Sequence, residues 1–419
     1  MSFEEEFLPE ERLEWEPPER LTISQYSDRH RVLDSASSAE PGPWRTDRTP
    51  YLRAIMDAFN DPEVETAVFQ SCTQVGKSET VLNILAYIID QRPGPTMLVY
   101  PTVETAEDFS RTRLQPMVKG HKRLRKKMLG DRHLFTTLRM QFSGMDLFLS
   151  GANSAASLAS KPIEYLLMDE VGKFASQGLG DEADPVSLAM ERTKTFTHSR
   201  KIFMVSTPTT AAGRITREID DCDAVYDYHV PCPHCGVFQV LRFQQVKWPE
   251  VEKEDPERYR RVEEETCYEC PHCKGKVTDV HKAWMLLKGE WREEKLSGRR
   301  KKIGFRLSSL YSPWVKFGQM AVMFLRSKAY PEKLQNFVNS WLGEPWEAKT
   351  HDRKESAILV LKENRPRGLV PSEGVLGITA GIDTQDDCFY YVIRAWGKFD
   401  ESWLIREGKI EDYDALLEI

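Results

Sequence analysis

The chain has 419 residues, with 58 basic and 65 acidic side chains and a net charge of −7, enough length for two or three domains. That balance excludes a protein that coats nucleic acid through global positive charge, so any nucleic-acid contact has to be local. The acidic start, Met1-Ser2-Phe3-Glu4-Glu5-Glu6, lacks the basic and apolar regions of a signal peptide, and the apolar stretch 81–89 is too short to span a bilayer. The expectation is a soluble, intracellular protein, with no membrane contact and not secreted. Its eight cysteines then read as thiols or metal ligands rather than disulfides.

In chain order, residues 1–48 are rich in Glu, Pro and Ser and read as an N-terminal arm with one helix near 24–33. From Thr49 a different rhythm begins. Leu52, Ile55, Met56 and Phe59 have helical spacing, then come a strand over 66–70 and a helix over 79–90. A strand over 96–100, a helix over 104–129 with a basic end, and a short β region at 140–149 follow. Two more strands, 165–168 and 201–205, flank a helix near 185–195. Strands alternating with helices predict an α/β fold with a mostly parallel sheet, here a core over 49–221. Residues 222–285 bring cysteines and charge; 286–362 read as the remainder of the ATPase domain, with many aromatics over 300–350 that pack a helical cover onto the sheet. Residues 363–374 have linker composition, and an alternating strand pattern begins at 375 and runs to 419.

The central motif is Ser71-Cys72-Thr73-Gln74-Val75-Gly76-Lys77-Ser78, between strand 66–70 and helix 79–90. A loop in that position ending in Gly-Lys-Ser is the phosphate grip of ATP- and GTP-hydrolysing proteins, because turn and helix N–H groups point at the phosphates. Lys77 is then the phosphate cation and Ser78 a Mg²⁺ ligand. Ser71 stands where the pattern has Gly, and a bare strand-to-helix turn also fits the segment. Asp169 and Glu170 follow the apolar strand 165–168, at the end where parallel sheets bind ligands. They are candidates for holding Mg²⁺ and for activating the attacking water. Strand 201–205 runs into Ser206-Thr207-Pro208-Thr209-Thr210, where Thr207 is a candidate γ-phosphate sensor. The three features together predict a P-loop ATPase of RecA-like type.

Two further patterns carry chemistry. Cys232-Pro233-His234-Cys235 and Cys270-Pro271-His272-Cys273 give four thiolates for a closed, structural Zn²⁺ site, with Cys267 as a possible substitute and the two histidines as turn residues. Cys72 and Cys388 read as buried small residues. The strand around Gly381-Ile382-Asp383-Thr384 with its polar turn and partner strand 389–396 fits an ordinary hairpin. It equally fits the opening of a ribonuclease-H-like nuclease, with Asp383 as the first carboxylate of a two-metal site.

The order of these motifs resembles the large terminase subunit of tailed bacteriophages, the lambda-type (GpA) family. Further matching stretches are Pro41-Gly42-Pro43-Trp44-Arg45-Thr46, Tyr100-Pro101-Thr102, residues 151–160, Ile303-Gly304-Phe305, Tyr311-Ser312-Pro313, Asn339 and Leu342-Gly343-Glu344. The resemblance implies an ATP-driven motor that moves double-stranded DNA into a procapsid through the portal. It further implies a homo-oligomeric ring acting in the host cytoplasm, an arm that meets the small terminase subunit, and an endonuclease using Mg²⁺ or Mn²⁺. Tyr51 is expected against the adenine, Arg111 or Arg113 as an arginine finger, and the basic run 121–127 on DNA phosphates. Because the family's nuclease needs later carboxylates, an incomplete nuclease that does not cut DNA is also expected. The rival readings are a helicase, which needs a second RecA-like domain, and a zinc-stabilised DNA-binding scaffold with a relict nucleotide loop.

Overall fold

The short apolar runs at 66–71, 96–100, 165–169 and 201–206 form strands buried on both faces. The computed structural model of the chain describes residues 19–35, 38–158, 161–175, 183–252, 254–296, 298–347, 365–385 and 388–417. The chain divides into two units, Met1–Glu347 and Ala348–Ile419. The first carries β1 (Thr66–Ser71), β2 (Thr96–Tyr100), β3 (Arg139–Phe142), β4 (Met145–Gly151), β5 (Tyr165–Asp169), β6 (Lys201–Ser206), β7 (Ala224–Pro231), β8 (Phe238–Val240), β9 (Glu290–Leu296) and β10 (Lys302–Leu307). They build one ten-stranded sheet in the order β8-β7-β10-β1-β6-β5-β2-β4-β3, with β9 also on β7.

Seven neighbours, β7-β10-β1-β6-β5-β2-β4, are parallel. Antiparallel strands close both edges: β8 and β9 on β7, and β3 on β4. Alternate residues feed two cores. Phe69, Leu167, Phe203 and Val205 pack on one side, and Val68, Leu166, Met168, Ile202 and Met204 on the other. Parallel strands covered on both faces have this continuous apolar character. Helix α1 (Ile23–His30) starts in a Thr22–Gln25 capping box, and α2 (Leu52–Asp57) precedes β1. Helix α3 (Lys77–Gln91) follows β1, and α4 (Arg214–Asp220) follows β6.

Two expectations change. The long helix over 104–129 is broken into Val103–Phe109, a π-helical turn Ser110–Leu114, Gln115–Gly120 and Lys122–Lys127. Extended backbone at His121 separates the last two, and its ring Nδ1 accepts from Leu124 N. Pro116 and Gly120 lower the cost of the interruption. The segment expected as a helical cover does hold helices Phe317–Ser327 and Pro331–Phe337, but it also contributes β9 and β10, and β10 lies between β7 and β1 inside the sheet. Its apolar pattern is masked by Gly304 and Arg306. A Cβ at Gly304 would lie 2.9 Å from Ile219 and 3.1 Å from the Cys222 sulfur, so α4 needs glycine there, and Arg306 is held bidentate by Asp227 on β7 at 2.8 and 2.9 Å.

In the second unit, β11 (Gly377–Thr384), β12 (Phe389–Trp396) and β13 (Ser402–Ile410) form an antiparallel sheet in that order. Residues 1–18 of the arm, Ala159 and Ser160, the tail of 286–362 from 348 with linker residues 363–364, and Asp386 and Asp387 lie outside the described residues.

Candidate nucleotide and metal sites

The phosphate loop leaves β1 and enters α3 through two left-handed residues, Gln74 at φ 58 and Gly76 at φ 92. The left-handed φ favours glycine at 76, and a Cβ there would also press on the Leu52 Cδ1 methyl at 2.7 Å. Lys77 begins the helix and folds back over the loop. Its ammonium donates to the Cys72 carbonyl at 2.8 Å and to Thr207 Oγ1 at 2.5 Å. These partners are neutral oxygens, and burial pushes the Lys77 pKa down. A buried ammonium at a helix N-terminus, served only by neutral oxygens, fits an anion.

The strand order explains how Thr207 reaches it. β6 lies between β1 and β5, so the tip of β6 separates Lys77 from Asp169 at the tip of β5. Gly172 lets the two tips close: its N–H donates to Ser206 Oγ at 2.9 Å, and a Cβ would sit 2.8 Å from that oxygen and 2.9 Å from the Thr207 carbonyl. Asp169 accepts from Tyr100 at 3.2 Å and from Ser78 Oγ at 3.5 Å. Burial pushes its carboxyl up to about 6, against the pull of the Lys77 charge. Ser78 and Asp169 thus face each other as two oxygen donors suited to Mg²⁺. Glu170 stands at φ 57, left-handed for a non-glycine residue, and its carboxylate accepts from Lys173 at 2.7 Å.

Other expected residues fall elsewhere. The structure does not bring Tyr51 to an open face: its ring is fully buried, edge-on to Tyr228, and its carbonyl accepts from Trp291. Cys72 is buried beside it, with its thiol pushed up to about 11 by burial. Arg111 pairs with Glu107 on the exposed face, whereas Arg113 turns inward to Glu79. Sequence reasoning named Tyr100, Asn339 and 342–344 only as matching stretches and Arg113 only as an arginine-finger candidate; it missed the Tyr100 bond to Asp169, the Arg31–Glu79 pair and the contacts of 339–346 with Thr73 and Thr209. Arg31 lies in the segment after α1, which carries no motif of its own.

The four cysteine sulfurs of Cys232, Cys235, Cys270 and Cys273 lie within 4.8 Å of one another. Cys232–Cys273 is 3.8 Å and Cys235–Cys270 is 4.0 Å, matching the roughly 3.8 Å edge of a tetrahedron built on Zn–S bonds of about 2.3 Å. Strand pieces Val246–Lys247, Cys267–Glu269 and Lys276–Val277, with the helix Arg258–Glu265 between the first two, support the second knuckle. His234 is a turn residue whose ring meets the Lys276 carbonyl at 2.8 Å. The thiols act on one another: burial raises Cys232, whereas, against the effect of burial, backbone N–H groups of Cys273 and His272 lower Cys270. Among the described residues this is the one group of three or more His, Cys, Asp or Glu able to hold a metal. Asp383 lies on β11, opposite Tyr390, and accepts from the Gln385 amide at 2.9 Å.

Comparison with known proteins assigns the chain. Residues 38–291 match the model of the phage terminase large subunit gpA, ATPase domain. The chain belongs to the phage terminase large subunit gpA family. Residues 302–415 match the gpA endonuclease domain, a finding that does not support the expected loss of the nuclease. That match begins on β10, which the fold makes a central strand of the first unit. The large terminase subunit of Escherichia phage lambda is 26% identical, over 96% of this chain and 65% of that protein; the chain thus spans about two thirds of the lambda subunit's length. Among solved structures, the HK97 bacteriophage large terminase overlays with a TM-score of 0.46 at 12% identity, covering 93% of this chain and 67% of that one. Among the described residues no helix is long and apolar enough to cross a membrane.

Proposed function

We propose that this chain is the ATP-hydrolysing motor subunit that drives double-stranded DNA through a portal into a procapsid. The observation that carries the reading is the convergence of Lys77, Thr207 and Asp169 at the tips of β1, β6 and β5. Bound MgATP would supply the phosphoanhydride whose hydrolysis powers movement. Loop and helix N–H groups from Gln74 to Ser78 cradle the phosphates, Lys77 neutralises them, and Ser78 with Asp169 holds the Mg²⁺. Glu170 takes the proton of the attacking water once released from Lys173. Thr207 trades its bond to Lys77 for the γ-phosphate and so reports its presence.

The division into an arm at 1–48, an ATPase core at 49–221, a zinc insertion at 222–285, its remainder at 286–362, a linker at 363–374 and a nuclease part at 375–419 belongs to the same proposal. So do a structural Zn²⁺ on the four cysteines, a ring of copies on the portal, the small subunit on the arm and action in the host cytoplasm. For β11 and β12 the reading is the opening hairpin of a ribonuclease-H-like nuclease, with Asp383 as one carboxylate for Mg²⁺ or Mn²⁺. Among the described residues no group of three metal-ligating side chains includes Asp383, and Asp386 and Asp387 lie outside the described residues.

Steady-state hydrolysis of MgATP by the wild type, Lys77→Ala and Glu170→Gln tests the reading. Turnover that both substitutions reduce by about a hundredfold or more supports it. Absence of Mg²⁺-dependent hydrolysis, with or without DNA, favours the scaffold instead. Strand separation without portal-dependent packaging favours a helicase.

A further inference from the structure

Residues 339–346 cross the tips of three central strands, next to the expected phosphates. Gly343, at φ +69, comes so close to β10 and β1 that a Cβ would lie 2.5 Å from the Leu307 carbonyl oxygen and 2.8 Å from the Cys72 nitrogen. Only glycine fits there. The Gly343 carbonyl accepts from Gln70 Nε2 at 3.1 Å. The Ser340 carbonyl accepts from both the N–H and the hydroxyl of Thr73, at 2.9 and 3.1 Å. The crest of the phosphate loop is therefore tied to this segment.

The same segment grips the far side of the site. The Asn339 amide, 8% exposed, donates to the Thr209 carbonyl at 2.6 Å and to the Glu344 carbonyl at 2.9 Å. Trp346 N–H donates to the Thr209 carbonyl at 2.9 Å. Thr209 lies two residues beyond Thr207. A side-chain amide is suited to this task, because its two N–H donors fork rigidly from one nitrogen.

We propose that Asn339 is a positioning residue for ATP hydrolysis. By fastening the Thr209 carbonyl to the stretch that also holds Thr73, it sets the Thr207 hydroxyl opposite the Lys77 ammonium. The proposal rests on the ATPase reading above and adds to it the element that fixes the spacing between phosphate loop and sensor. When Lys77 turns from Thr207 towards phosphate, the freed segment 207–210 pulls on Asn339. A change at the phosphates thereby reaches residues 339–346, which precede the second unit in the chain.

The test uses the full chain as wild type, Asn339→Ala, Thr207→Val and the double variant. It reads MgATP hydrolysis, hydrogen exchange over 207–212 and thermal unfolding. Asn339→Ala is expected to lower kcat by about tenfold while KM moves by less than about threefold, because alignment is lost rather than binding. Exchange over 207–212 should quicken, and the double variant should be no slower than Thr207→Val, since both act through one hydroxyl. A kcat that falls only in step with the folded fraction, or losses that add, would overturn the proposal. Should the wild type hydrolyse no ATP, the ATPase reading fails and the positioning role falls with it; an active wild type with an unimpaired Asn339→Ala rejects the positioning role alone.

Discussion

The Arg31 guanidinium donates to the Glu79 carboxylate at 2.8 Å, one residue beyond Ser78. Arg113 takes the other oxygen at 2.6 Å, and Arg31 Nε donates to Asn83 at 2.8 Å. A buried arginine from the segment after α1 therefore pins the first turn of the phosphate-loop helix. Glu79 keeps Arg113 as a partner when Arg31 is removed, so Arg31→Ala should cost about 1–3 kcal/mol, less than a fully stranded charge. The Arg31→Met, Glu79→Met, Arg113→Met triple variant should recover most of that loss, because all three charges go together. Urea unfolding measures both, and a triple variant no more stable than Arg31→Ala refutes the account.

Glu170 holds a left-handed conformation that costs an ordinary residue of order 1 kcal/mol. Asparagine tolerates that region better, so Glu170→Asn should stabilise the protein by about 0.5–1 kcal/mol while abolishing turnover. Thermal unfolding beside an ATPase assay checks the pair of effects. A lower melting temperature would show that the carboxylate's bond to Lys173 outweighs the strain.

The Asp169 carboxyl gives a pH dependence with a defined sign. Its folded pKa, about 6, lies above the ordinary carboxyl value of 3.8. Between those values the folded, nucleotide-free protein keeps a proton that the unfolded chain has released, so this group's contribution to stability falls as pH rises through the window. Mg²⁺ needs the ionised form and must displace that proton. The Mg²⁺ concentration for half-maximal hydrolysis should therefore rise by about tenfold per pH unit below 6 and stay flat above it. A constant value from pH 5 to 8 would reject Asp169 as the titrating ligand.

The legible parts of the molecule are those where local chemistry forces the backbone. Gly76-Lys77-Ser78 dictates a turn and a helix start, Leu166, Leu167 and Met168 dictate a buried strand, and paired Cys-x-x-Cys turns dictate four converging sulfurs. What stayed hidden depends on partners distant in sequence. β10 reads poorly because Gly304 and Arg306 interrupt its apolar run, and both make sense only against Cys222 on one side and Asp227 on the other. Tyr51 looks like a surface ring beside a helix start, yet Tyr228 and Trp291 enclose it. Arg31 looks like an ordinary polar residue until Glu79 is seen beside it, and Asn339, although part of a matching stretch, gives no hint of Thr209.

The four cysteines yield the last prediction. Cys232 and Cys270 are buried while Cys235 and Cys273 are exposed, so a chelator can reach the site from one side. Two sulfurs come from the turn after β7 and two from the turn between Cys267–Glu269 and Lys276–Val277. An ion there would join an edge of the main sheet to a small sheet whose strands are two or three residues long. Without the ion, four thiols packed within 4.8 Å lose their shared partner, and the small sheet should open first. Metal analysis is expected to find a single zinc per chain, lost in Cys270→Ser and kept in Cys267→Ser. Chelation should quicken hydrogen exchange over 232–277 well before α3 is exposed, because structural zinc contributes folding free energy to the segment it closes. Retention of zinc by Cys270→Ser would instead make Cys267 the fourth ligand.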